Sequence, residues 1–459
     1  MAKKTIGRRD FVKAAALGGG AMVLPACAAP AAPAAPAAPA AAAATAAPAV
    51  VPAIKPKIVI WCGTTYTTEA DAAMDTQIKD WCAANNVDLE LNRMSMDERV
   101  PKWQTAFEAK QFPDMGLLEQ NDASKFMVAN HLVDTSSVLN NLNKMEGGYT
   151  PGAWANTMFN GKHLTVPTFS STEVFYVRKD KLEEKGLAIP ETWEDVVKVA
   201  KAITVPGQFW GYGAQIGTPS WDSEVQISSQ LFAYGASTWD KDGKVALDSK
   251  ETRQVLDLMN DAWKSGVIPS DASTWDDGAN NKAYLTGMVG MTWNTPSVLK
   301  VMEKDDPDLL SKTAITLLPK GPKGRFTTGY YYQWGVFNTS KHPDVCLALM
   351  EHLFQPAQLR TVYDLSAGNM MPIFKNMIND DMWKKSPQRE MVTKMVEFTV
   401  PQGYPGANTP WIQDAWMDHT CCKMLNRVLF DGWDNDRAIA EAVGIYQKWY
   451  DEWQVKLKA

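Results

Sequence analysis

No Gly-x-Ser-x-Gly elbow, His-Glu-x-x-His pair or phosphate-cradling glycine loop occurs in the 459 residues, which removes the commonest signatures of hydrolase, zinc-peptidase and nucleotide chemistry. Histidine is scarce. His131, His163, His342, His352 and His419 are scattered, and none stands at zinc-site spacing from cysteine, so no metal and no cofactor are expected. Cysteine is equally thin. With Cys27 set aside for the reason given below, Cys62, Cys82, Cys346, Cys421 and Cys422 remain, an odd number without scaffold-like spacing. Cys62 and Cys82 would stand roughly 20 Å apart across a strand and the helix after it, too far for a bridge. Reduced, buried thiols are expected. Basic charge is also in deficit: the formal balance is −6, and removal of residues 1–26, with five basic and one acidic side chain, takes it to −10. Nucleic acid, whose phosphates require a basic footprint, is excluded as a partner. After residue 26 no long uncharged apolar run occurs, so no membrane span is expected.

What is present begins at the N-terminus. Lys3, Lys4, Arg8, Arg9 and Lys13 form a basic leader, a short apolar run reaches Leu24, and Leu24-Pro25-Ala26-Cys27 closes it. The apolar stretch is far shorter than the roughly 20 residues that cross a bilayer, so residues 1–26 read as an export signal. Gly7-Arg8-Arg9-Asp10-Phe11-Val12-Lys13 resembles a twin-arginine signal, and the closing tetrapeptide resembles a lipobox in which Cys27 becomes the lipidated first residue. The plainer alternatives are a Sec signal with fortuitous paired arginines and an ordinary Cys27. Residues 27–54, almost wholly Ala and Pro, have no apolar periodicity and read as an extended stalk. The protein is expected on the extracytoplasmic face of the cell membrane, held there by its lipid.

The body from Lys55 onward is too long for one compact core, and two lobes are expected. Ile58-Val59-Ile60-Trp61 is a short apolar run, a helical stretch reaches Ala84, and Val87 to Leu91 alternates with period two. A helix around Glu98–Ala109 and a strand Asp114–Leu118 follow. This alternation predicts an α/β class with a parallel sheet, whose ligands gather at the carboxyl ends of the strands. That rule points to Trp61–Thr65 and to Glu119, Gln120 and Asn121. Thr192, with Asp195 three residues on, predicts a capped helix burying Trp193, Val196, Val197, Ala200 and Ile203. The apolar stripes at Val345–Phe354 and Ala438–Trp453 have helical spacing and read as core.

Longer blocks carry a resemblance. Gly161–Pro167, Val174–Asp180, Gly186-Leu187 and Pro190–Asp195 resemble the central signature of family 1 extracellular solute-binding proteins, the sugar receptors of ATP-binding cassette importers. Ala283–Thr292, Ile315–Pro319 and Gly335–Ser340 resemble that family's later blocks, in order. The resemblance implies a two-lobed periplasmic-binding-protein type II fold, each lobe a mostly parallel sheet flanked by helices, joined by hinge crossovers. On this sequence it places lobe one at 55–169 and 319–367 and lobe two at 170–318 and 368–459. It places hinges near Phe169, Ser170 and Ser171, near Pro319, and near Gly368. It implies a monomeric receptor that binds a small solute by closure, without covalent chemistry, and hands it to the transmembrane subunits of a permease.

Composition supplies a hint about the solute. Eighteen tryptophans are present, many in segments read as loops. Pyranose rings pack their C–H faces on aromatic rings while their hydroxyls need directed polar partners. Strand-end logic with the resemblance nominates Trp61, Asn121, Trp293 and Asn294 as ligand contacts, and likewise Trp221 with Asp222, Trp275, the run Tyr330-Tyr331-Tyr332, and Trp411. The chain departs from the family where Asn294-Thr295-Pro296-Ser297 replaces a Gly-Pro-Trp run, losing one aromatic plate.

Other classes remain open at this point. A cationic solute such as a polyamine or a peptide would want aromatics beside carboxylates, which Trp221, Asp222, Trp275, Asp276 and Asp277 supply. A secreted glycan-acting enzyme would need a carboxylate pair, but any pair can be nominated among 52 acids. A stalked adhesin would show no ligand-dependent closure. Asp240-Lys241-Asp242-Gly243 resembles part of a calcium loop but lacks its later ligands and reads as a hairpin turn.

Overall fold

The computed structural model describes residues 55–457, apart from 66, 160, 219, 367 and 407. The export signal, Cys27 and the stalk fall outside these residues. Strand β1 (Lys57–Gly63) alternates, with Ile58, Ile60 and Cys62 buried on one face. It pairs in parallel with β2 (Asp88–Met94) and β3 (Met115–Glu119), and all five residues of β3 are buried because both its edges and both its faces are covered. A small antiparallel hairpin, β4 (Met158–Phe159) with β5 (Lys162–His163), precedes β6 (Val166–Ser170). The first sheet is completed by β11 (Tyr331–Val336), giving the order β2-β1-β3-β11-β6. Only β11 runs against the other strands.

Helices cover both faces. The helix Thr68–Ala84 packs with the helices Pro343–Leu353 and Pro356–Ser366 on one side. On the other side lies the helix Met96–Ala109, started by a reciprocal Ser95–Glu98 cap. It brings Trp103 onto Phe126 and Phe337, with ring centroids 5.5 and 5.6 Å away.

The second sheet has the order β8-β7-β9, from β7 (Val174–Arg178), β8 (Met291–Asn294) and β9 (Thr313–Thr316). Its ladders are antiparallel, not the mostly parallel sheet expected. The chain leaves the junction between lobes on β7 and returns toward it on both β8 and β9. A parallel neighbour does lie beside β8: Gly213 N–H donates to Met291 O at 2.8 Å and Gly290 N–H to Trp210 O at 2.8 Å. The helix Trp193–Ile203 begins with the expected Thr192–Asp195 cap and buries the five residues named for it. The two-residue strands β10 (Thr327–Thr328) and β12 (Thr399–Val400) pair beside the junction.

Two lobe boundaries differ from the expected ones. Pro319 is not at a crossover: Lys320 N–H donates to Glu191 O at 2.8 Å and Lys323 N–H to Ala233 O at 2.9 Å, which keep 319–323 with the second lobe. The chain crosses later, between β10 and β11. Gly368 is not where the chain leaves the first lobe either. Met371 pairs with Ser170 and Phe374 with Tyr149, extending the first sheet's edge. The passage to the second lobe follows Lys385, which still pairs with Asp364, and precedes Arg389, which pairs with Glu303. Both shifts come from backbone hydrogen bonds between segments distant in sequence. All five described cysteines are free and buried.

Replacing the fully buried Trp103 with alanine removes the ring that joins β1, β3 and the helix Gln120–Val128. Trp103→Ala is expected to cost about 3–5 kcal/mol of unfolding free energy, read as a lowered urea midpoint; an unchanged midpoint would show that the site collapses without loss.

Candidate functional site

Two of the three crossings, at Ser171 and at Tyr330, lie side by side and form the floor of a cavity. Ser171 N–H donates to Tyr330 O at 2.9 Å, and the Thr172 and Thr399 hydroxyls are 3.2 Å apart. Gly329 is required by close approach here: a Cβ would fall 2.2 Å from Thr399 Cγ2. Above this floor a cavity of about 410 Å³ opens between the lobes. Thr65, Arg99, Glu119 and Tyr332 line it from the first lobe. Trp221, Asp222, Asp277, Asn281, Asn294 and Ser297 line it from the second. Phe169, Ser171, Glu173, Tyr330 and Met370 close its base.

Five of the nominated contacts meet here: Trp221, Asp222, Asn294, Tyr330 and Tyr332. The others do not, and strand parity explains two of them. Asn294 ends β8 facing the cavity, so Trp293 points to the opposite face, where it is buried and its indole N–H donates to Gln226 Oε1. Tyr330 and Tyr332 face the cavity, so Tyr331 points away and its hydroxyl abuts Gly152. Trp61 packs on Trp103 with centroids 5.1 Å apart and carries Lys102 over its ring, and it is not among the residues that line the cavity. Asn121 donates to Met417 Sδ at 3.2 Å, Trp275 is buried against Gly217, and Trp411 donates to Gly243 O at 2.9 Å. The last contact pins the Asp240–Gly243 turn, in which Asp240 Oδ1 accepts from the Asp242 and Lys244 N–H groups. No cluster of potential metal ligands occurs among the described residues.

Of the expected hinge residues, Phe169 and Ser170 end β6 and Ser171 begins the first crossing. Sequence reasoning missed Arg99, Glu173, Asn281 and Ser297 as site residues. Thr65 and Glu119 lie in the segments to which the strand-end rule pointed. Arg99 sits on a helix and carried no local signal.

The aromatic faces are fixed by neighbours. Tyr332 stacks on Phe169 at 4.3 Å, and Trp221 meets Tyr330 edge-on at 6.2 Å. Trp416 Nε1 donates to the Tyr330 hydroxyl at 3.1 Å. On the first-lobe wall the buried Arg99 guanidinium donates to Glu119 Oε1. Burial works against that cation, but the Glu119 carboxylate together with the nearby Tyr332 and Asp122 groups outweighs it and holds Arg99 charged.

The opposite wall is acidic. Asp277 Oδ1 accepts from Ser220 Oγ at 2.6 Å and from Asp222 N–H at 3.2 Å. Asn294 Nδ2 donates to Asp222 Oδ2 at 3.0 Å. Burial, then the Asp277 and Glu173 charges, push the Asp222 carboxyl well above its ordinary range. Glu173, 2% exposed at the first crossing, is pushed up to about 7 by burial, against the opposing hydrogen bond from Thr327 Oγ1.

No helix among the described residues is long and apolar enough to cross a membrane. Two lobes, paired crossings and a cavity walled from both sides define a solute-binding fold. The chain belongs to the bacterial extracellular solute-binding protein family, whose profile matches residues 64–359. This is a family of binding proteins and not of enzymes. A Deinococcus radiodurans protein named "Probable ABC transporter-binding protein" is 24% identical over 237 residues, 50% of this chain and 55% of that protein. An arabinooligosaccharide-binding protein of Halalkalibacterium halodurans is 25% identical over 174 residues, 36% of this chain and 37% of that one. The chain thus spans about half or less of the length of these two relatives. Among solved structures, maltose-bound T. maritima MalE3 superposes with TM-score 0.71 at 21% identity, covering 85% of this chain and 99% of that chain. The GacH receptor of Streptomyces glaucescens GLA.O, described unliganded and with acarbose, gives TM-score 0.71 at 17% identity, covering 86% and 99%.

The Glu173 shift has a pH consequence. Its carboxyl titrates near 7 when folded against an ordinary 4.5, so the folded state holds the proton more tightly. The associated stability is fully present below about pH 4.5 and is lost as pH rises through about 7. Glu173→Gln is expected to flatten the fall in melting temperature across that window; a decline as steep as in the unaltered protein refutes the assignment.

Proposed function

We propose that this protein is the extracytoplasmic receptor of an ATP-binding cassette importer, which closes on a sugar or oligosaccharide and delivers it to a membrane permease. The observation that carries this reading is a cavity whose walls come from both lobes and combine aromatic faces with directed polar groups. Trp221, Tyr330 and Tyr332 offer surfaces for sugar C–H faces. Thr65, Glu119, Asn281, Asn294 and Ser297 offer donors and acceptors for hydroxyls, and the Arg99–Glu119 pair holds its own groups in place. The volume of about 410 Å³ falls within the ~300–1,000 Å³ of small-molecule sites. The relatives and neighbours named for arabinooligosaccharide, maltose and acarbose support the ligand class.

Because one ligand touches both walls, bound solute favours the conformation that brings the walls together. Rotation at the paired crossings moves the lobes without repacking either core. A permease that recognises both lobes at once then receives only loaded receptor. The chemistry is binding and release, with the solute returned unchanged.

A saccharide that fits, supplied at 100 times its Kd, is expected to add about 2.7 kcal/mol to stability and raise the melting temperature. Trp221→Ala should weaken the same saccharide by about tenfold, and chromatography should recover the sugar intact. A panel of mono- and oligosaccharides that leaves the melting temperature unmoved, or sugar that is cleaved, ends this reading.

We also propose that Cys27 carries the lipid and that the Ala/Pro-rich stretch after it spaces the receptor from the membrane. Cys27→Ser is expected to move the protein from the membrane fraction to the soluble fraction. Retention of the variant on membranes removes the anchor from the account.

A further inference from the structure

Charge is distributed unevenly around the cavity. Four carboxylates line it, Glu119, Glu173, Asp222 and Asp277, against one cation, Arg99. Arg99 is committed to Glu119 on the first-lobe wall. Asp222, Asp277 and Glu173 have no ion-pair partner among the described residues. The His419 ring stands 5.6 Å from Trp221, and burial favours its neutral form.

The three acids are not a surface cluster. They share a built cavity wall with aromatic rings, and each is oriented by the protein: Asp277 by Ser220 and the Asp222 N–H, Asp222 by Asn294, Glu173 by Thr327. Ser220 is held in turn by Gln215 Nε2 at 2.8 Å. Trp221, adjacent to Asp222, adds the face of an indole to the same wall, the group best suited to attract a cation through its ring quadrupole.

Resting on the sugar-receptor reading, we propose that the solute is an amino sugar, its protonated amine seated between Asp222 and Asp277 beside Trp221 and its hydroxyls turned toward Thr65, Glu119 and Tyr332. An ammonium offsets the cost of ionising these neighbouring acids, whereas a neutral hydroxyl does not. A solute cationic at both ends is disfavoured, because Glu119 on the far wall already has its counter-ion in Arg99 and leaves no free carboxylate for a second ammonium. The acidic wall and the neutral Arg99–Glu119 wall therefore select a guest charged at one end and hydroxylated at the other. This goes further than the sequence pattern, which offered Trp275 and Asp276 alongside the residues that do line the cavity.

Isothermal titration of the purified receptor tests the proposal with glucosamine, galactosamine and mannosamine, the parent hexoses, the N-acetyl forms and putrescine, at a pH where the amines are protonated. The best amino sugar is expected to bind about tenfold to a hundredfold tighter than its parent and N-acetyl forms. Asp222→Asn should lower that amine-to-parent ratio by about tenfold. Because the ligand panel is run on the unaltered protein, the result does not depend on the variant folding. Parent or N-acetyl sugars that bind as tightly as the amine overturn the proposal and leave the sugar receptor standing. Binding of putrescine alone overturns both, whereas an absence of binding across the whole panel overturns the amino sugar and leaves the oligosaccharide receptor to its own panel.

Discussion

The pairing of two crossings at Ser171 and Tyr330 is the constraint from which the rest of the molecule follows. One chain segment leaves the first sheet after β6 and another enters it before β11, and the backbone bond between them holds both at one line. The threonine contact beside them and the close approach at Gly329 leave little room for the crossings to separate. Each sheet therefore delivers its cavity-facing residues to the same place. The floor, the two walls and the direction in which they move relative to one another are consequences of that single seam.

Glu173 places a titratable group inside the seam. It is buried, bonded to Thr327 of the second crossing, and near enough to raise the cost of ionising Asp222. Hinge geometry and cavity electrostatics are thus coupled by one carboxyl. The first-lobe wall is built on the opposite plan, with Arg99 and Glu119 compensating each other. Pairing makes that wall a neutral, oriented set of hydrogen-bonding groups, while the second-lobe wall keeps an unmet demand for positive charge.

Much of the fold was legible along the chain. The first three strands and the helices between them announced themselves by periodicity, and the helix at Trp193 by its cap, because these signals depend on residues a few positions apart. The site was half legible. The right strand ends were named, but Trp293 and Tyr331 belong to the opposite faces from their cavity-facing neighbours. Tryptophan abundance misled in a physical sense: Trp61, Trp275 and Trp411 satisfy core packing or a turn, and an indole in a loop segment packs wherever apolar surface is offered.

By itself the sequence determined the α/β alternation, the helix starts, the acidic balance and the likeness to solute-binding proteins, all of which reside in local spacing or ordered blocks. Only the tertiary structure decided that the second sheet is antiparallel, that the chain crosses after β10 and not at Pro319, and that Glu173, Asp222 and Asp277 share a wall. Those facts depend on hydrogen-bond register and strand facing between segments more than a hundred residues apart in places. No local pattern encodes them, since a one-residue change in which side chain faces inward alters the site while leaving the composition of the strand unchanged.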